Sequence, residues 1–159
     1  MKIVSLMQRE QIGGFHSIEV ITLEDINFCP HILTNENASS FQYTKGYNDA
    51  VEIMPVGETL SVGSSTTKTT SGRLFNITSE FEVLYLDAAI DTIFNNFQHK
   101  KVVIKANKYD GTSILYGSVR YPLTFFYDLT NSKKAESPSK FEAKITGKIS
   151  QKPVIYKPI

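Results

Sequence analysis

Cys29 and His31 stand two residues apart, and a thiol beside an imidazole is the pair from which a metal site or a nucleophile–base couple is built. Neither use is completed here. A metal needs three or four converging ligands, and His16 and His99 add no spacing that converges on the pair. On an extended segment the two side chains point the same way, yet no third group is placed to orient the imidazole. The reading that remains is a buried cysteine beside a surface histidine. As Cys29 is the only cysteine, an intramolecular disulfide and a thiolate-rich zinc site are both excluded. Glu80 and Glu82 could serve as acid and base, but two acids on one parity of an amphipathic strand are ordinarily its solvated face. Gly57, Gly63 and Gly72 lie in a Ser/Thr-rich stretch without the strand-to-helix context in which backbone amides cradle phosphate. No GxGxxG, Walker or HExxH motif is present. The expectation is a protein with no catalytic residue, cofactor or metal.

A basic and aromatic set is the remaining candidate. Lys100, Lys101, Lys105 and Lys108 precede Tyr116, Tyr121, Phe126 and Tyr127, the ingredients with which small β-barrels stack single-stranded bases. Several of those rings share the parity of the apolar core residues, so specific nucleic-acid binding is not expected. With 17 Lys and Arg against 16 Asp and Glu, no global field recruits nucleic acid or an anionic membrane.

The elements that must position these residues are mostly strands. From residue 73 to 85, Phe75, Ile77, Phe81, Val83 and Tyr85 share one parity, and Asn76, Thr78, Glu80 and Glu82 the other, as in a half-buried strand. The period then changes. Leu86, Ala89, Ile90, Ile93, Phe94 and Phe97 form one stripe of a helix over about residues 86–99, with Asp87 and Asp91 toward its start and His99, Lys100 and Lys101 after its end. Further strands are expected at 1–12, through Ile3, Val4 and Leu6, and at 15–28 until Pro30 stops it. In the latter, Ile18 and Val20 oppose Glu19. Gly13 and Gly14 read as a turn between them. Residues 34–48 read as a loop whose Phe41, Tyr43 and Tyr47 are either a contact surface or its buried anchors.

Residues 50–54 and 60–62 suggest a hairpin or a bent edge strand around Pro55 and Gly57, and 61–73 either a long mobile loop or a hairpin tip with Thr-rich strands. After a strand at 101–108, Asp110-Gly111 signals a tight hairpin. Its return strand runs from Leu115 to Tyr127 through Pro122, which implies an edge or a bulge where the strand bends. The last clear strand turns Phe141, Ala143, Ile145 and Ile149 inward and Lys140, Lys144 and Lys148 outward, a lysine ladder suited to guarding an exposed edge or matching a second subunit. The tail beyond it is expected to be edge-paired or extended.

At 159 residues and 41% hydrophobic, the chain is expected to be one folded domain over 1–159, mainly β with some α: an antiparallel β-sandwich or partly open barrel with one amphipathic helix. No apolar run is long enough to span a membrane as a helix, and the first residues do not read as an export signal.

This order of elements, with the closing segment FEAKITGKISQKPVIY, resembles the tail-tube family of long-tailed bacteriophages, similar in fold to the tube protein of type VI secretion, and also small phage tail and head-completion proteins. The resemblance runs from about residue 14 to 150. It implies a non-enzymatic homo-oligomeric ring subunit of a virion, present in host cytoplasm before assembly, with other tail or head-completion proteins as further partners. No acidic face like that of tube lumens stands out, so a neck or terminator role is implied nearly as well. The regions nominated for the interface are Ser64, Thr66, Lys68, Thr70 and Arg73 in the polar stretch, and Val154 and Tyr156 in the tail. The alternative reading is a small β-barrel that binds single-stranded nucleic acid or another ligand.

Overall fold

The computed structural model describes residues 14–44, 51–53, 55, 59–84, 88–109, 111–130 and 139–156. The strand expected at 1–12, Gly13, Tyr47, Tyr85, Leu86, Asp87 and Asp110 lie outside them. The strands are β1 (Phe15–Thr22), β2 (Ile26–Phe28), β3 (Gln42–Tyr43), β4 (Val51–Ile53), β5 (Ser61–Thr69) and β6 (Gly72–Val83). After the helix α1 (Ala88–Phe97) come β7 (Lys101–Lys108), β8 (Ser113–Tyr116), β9 (Leu123–Thr130), β10 (Lys140–Ile149) and β11 (Val154–Tyr156). The protein is mainly β, a curled half-barrel of antiparallel strands with, among the described residues, one α-helix.

β7 is the branch point of this sheet. One of its edges pairs with β1, which in turn pairs with β4. Its other edge is shared: residues 104–107 pair with β8, and Lys101 and Val102 pair with the start of β9. From there the sheet continues through β10 and β6 to β5, while β11 adds to β8.

Because α1 covers one face, the inward parity of the long strands other than β5 is largely apolar. Ile18, Val20, Ile77, Phe81, Val102, Ile104, Phe125, Phe141 and Ile145 form the main cluster with Phe94 and Phe97 of the helix. Phe94 lies at its centre, its ring 5.6–6.3 Å from those of Phe81, Phe125, Tyr127 and Phe141. The helix stops at His99, whose φ of 62° is the left-handed conformation of a helix end. Its amide donates to Phe125 O, and Gln98 Oε1 accepts from Tyr127 N at 2.8 Å, so the helix terminus is tied to β9.

The inward parity of β10 has a gap at Gly147. A Cβ there would lie 2.5 Å from Leu123 Cδ2, so the gap is where the start of β9 presses against β10.

β1 and β7 are buried on their second face as well. Ile21 and Val103 join Leu33, Ala38, Phe41, Leu115 and Val154 in a smaller cluster beneath residues 23–43. Phe41 is therefore an anchor, the second of the two uses open to that segment's aromatics.

Several expected elements are interrupted. The strand at 15–28 is broken by a 3-10 turn at Leu23–Asp25, with Thr22 Oγ1 donating to Asp25, so that β2 leaves the large sheet and pairs with β3. The return strand through Pro122 is two strands. Gly117 takes a φ of +88°, Ser118 N donates to Tyr121 O, and the parity fails there, with Ser118 buried and Val119 exposed. The bend expected at Pro122 is real, and it lets one return strand serve β7 twice and then move to β10. Among the described residues β4 pairs with β1 and not with 60–62.

Residues 61–73 are a hairpin: β5 pairs with β6 in nine consecutive register positions without a shift. Small hydroxyl side chains cannot form a core, but a ladder on β6 needs only their backbone. The lysine ladder of β10 guards no edge, since β10 lies between β6 and β9. On the outer face Lys140 bridges Glu82 of β6 and Glu142 of its own strand at 2.8 and 3.1 Å, and Lys144 faces its cross-strand partner Glu80 at 3.4 Å.

Candidate interface edge and polar cleft

Ser64, Thr66, Lys68, Thr70 and Arg73 are brought together by the β5–β6 hairpin, and all are exposed. Lys68 pairs in register with Arg73, Thr66 with Phe75 and Ser64 with Ile77. On the opposite face Asn76 donates to Thr67 Oγ1 at 2.8 Å and to Ser65 Oγ at 3.3 Å, which stiffens the ribbon. Among the described residues β5 pairs only with β6, leaving its outer edge as a nine-residue row of backbone donors and acceptors.

The tail residues are elsewhere, at the opposite end of the sheet order. Val154, nominated as an interface residue, is 3% exposed and belongs to the smaller core cluster, with β11 edge-paired to β8, one of the two arrangements expected of the tail. Gln151 Nε2 donates to Leu33 O at 2.8 Å, and Asn35 Oδ1 accepts from Ile155 N at 3.0 Å, so the tail is also tied to the 23–43 segment. Replacing Val154 with Ala should cost about 2 kcal/mol of stability, for two buried methyl groups and the cavity left behind, and leave self-association unchanged. Urea melts and sedimentation separate the two; a stable variant with altered association would put Val154 at a subunit contact.

The second feature is a cleft of about 500 Å³ lined by Asn27, Ser39, Phe41, Gln42, Tyr43, Lys105 and Tyr156. Alternation alone would turn Glu19 outward to water. Instead it is 1% exposed, because the 23–43 segment lies over that face. Its cross-strand partner is Lys105, whose Nζ lies 3.1 Å from Glu19 Oε2, and Tyr43 OH donates to the same oxygen at 2.9 Å. The ammonium also lies 4.7 Å from the centre of the Tyr156 ring and 5.8 Å from that of Tyr43. No motif marks this site, since its residues come from four separated stretches. The one signal in sequence is a lysine and a glutamate each interrupting an apolar strand, meaningful only once β1 and β7 are known to pair.

The other candidates disperse. Cys29 is half-buried and His31 exposed against Arg120, with Nε2 and Nη1 3.0 Å apart. Among the described residues no three His, Cys, Asp or Glu side chains gather as a metal site would require. The basic and aromatic set splits between faces: Tyr116 is buried, Tyr127 packs on Phe94, Phe126 meets His99 on the outer face, and Lys101 bonds Thr124. Burial raises the Tyr116 phenol above its ordinary range, and burial with the Asp91 carboxylate raises Tyr127. Hydrogen bonds to Glu82 and Glu142 raise Lys140. These are structural perturbations with no shared pocket.

A scan against protein-family models, a search of curated proteins and a search of solved structures each found no match to the chain. Among the described residues no helix is long and apolar enough to cross a membrane.

Proposed function

We propose that the protein is a non-enzymatic structural subunit that associates with further copies of itself through the β5 edge, in the manner of a phage tail or neck ring. The observation that carries this reading is the edge itself. Free edges in monomeric proteins are kept short, charged, bulged or proline-broken, because a regular one recruits another strand. β5 is long, unbulged and free of proline, and Lys68, near its tip, is its only charge. By contrast β4 and β11 are three residues each, and an Asn35 side chain occupies an amide of β11. Small hydroxyl side chains add little steric or charge barrier to a second strand, and an edge of one subunit laid on another surface of the next is the heterologous contact from which rings are built.

The test is self-association by light scattering and sedimentation over a wide concentration range. The wild type should form a defined oligomer. Introducing Ser64→Lys with Thr66→Lys should weaken it at least about tenfold in Kd, some 1.4 kcal/mol, without changing the monomer's melt. A wild type that stays monomeric throughout, or a double variant that assembles as well as the wild type, would overturn the proposal.

A further inference from the structure

The cleft over Lys105 is independent of the β5 edge, and its chemistry is that of a binding site. Among the described residues its one cation is already neutralised: Lys105 is ion-paired to a glutamate that is almost wholly buried, and two of the ammonium's three donors are directed to Glu19 and to Tyr43 OH. A phosphate or carboxylate entering the cleft would therefore meet no uncompensated charge among its lining residues. What the rim offers is neutral. Asn27, whose amide shares a hydrogen bond with Thr44 Oγ1 at 3.1 Å, and Gln42 are exposed amides that both donate and accept, Ser39 adds a hydroxyl, and the Tyr43 and Tyr156 rings flank the ammonium at 5.8 and 4.7 Å.

We propose that this cleft binds a neutral, hydroxyl-rich ligand, a saccharide in chemical class. The hydroxyls of such a ligand match side chains that donate and accept at once, and its C–H faces pack on aromatic rings. The volume, about 500 Å³, is within the range of small-molecule sites and admits a unit of one or two sugar rings. The buried Glu19–Lys105 pair acts as a positioning device: it fixes two tyrosine rings without leaving a net charge to attract anions.

Amide chemical-shift mapping of the full chain tests this with maltose and N,N′-diacetylchitobiose as neutral probes, and uridine 5′-monophosphate and an acetylated tripeptide as competitors in chemical class. At least one saccharide should perturb residues 27, 39, 42, 43, 105 and 156 at concentrations up to about 20 mM, where a ligand of millimolar Kd saturates. Replacing Asn27 and Gln42 together with Ala should weaken binding about fivefold or more, as the loss of one or two hydrogen bonds requires. Both residues are exposed, but Asn27 also bonds Thr44 Oγ1 at 3.1 Å, so the Gln42→Ala single variant, which keeps that bond, should weaken binding in the same direction and serves as the control for the fold. No perturbation by either saccharide, preferential binding of the nucleotide or the peptide at the same residues, or undiminished saccharide binding by the double variant would each overturn the assignment.

Discussion

Replacing Phe94 with Ala should destabilise the protein by about 3–5 kcal/mol, the largest effect expected of any single truncation here. Phe94 is 2% exposed and its ring meets four others, on β6, β9 and β10, so it joins three strands to the helix at once. Its removal takes away the transfer free energy of a buried ring. It also leaves a cavity that the surrounding rings cannot close, because each is fixed by its own strand. Urea melts measure the loss. A change below about 1 kcal/mol would mean the helix lies on the sheet without sealing it.

Removing the Lys105 ammonium should rank next. Lys105→Met keeps most of the side-chain volume and takes away the cation 3.1 Å from a carboxylate with almost no access to water, a change worth about 3 kcal/mol or more. Much of that cost arises from the buried charge left behind rather than from a strong pair. The double variant Glu19→Leu with Lys105→Met should therefore recover most of the stability, and a double-mutant cycle gives the coupling directly. If the single variant melts like the wild type, water or other groups solvate Glu19 and the pair does not hold the cleft.

Much of the fold is legible in the sequence because period tracks burial. The alternation at 73–83 and 141–149 and the stripe through Ile90, Ile93, Phe94 and Phe97 correspond to β6, β10 and α1, with Phe81, Phe141, Ile145, Phe94 and Phe97 buried among them. Parity fails to predict exposure at the bend after Gly117, and elsewhere where a second layer covers the outer face. Glu19 and Val154 are buried by the 23–43 segment, whose irregular backbone gives no periodic signal. The polar stretch 61–73 was open between loop and hairpin because a ladder held by backbone hydrogen bonds asks little of its side chains. The nominated hairpin residues are contiguous and exposed, and the tail residues are not part of the same surface. The cleft is barely legible, since Glu19 and Lys105 become neighbours only through the pairing of β1 with β7, and Asn27, Ser39, Gln42 and Tyr43 reach them only with the 23–43 segment.

That pairing also governs when the molecule can fold. Thr22 sits opposite Val102, roughly 80 residues later in the chain, so β1 leaves the ribosome long before its principal neighbour exists. At about 5–20 residues per second the interval is on the order of 4–16 s, during which β4 is the only described strand available to it. β7 is thus the keystone of synthesis. Its emergence allows β1, β8 and β9 to dock in succession, and a nascent chain arrested before residue 101 should present the apolar faces of β1 to any chaperone or neighbouring chain within reach.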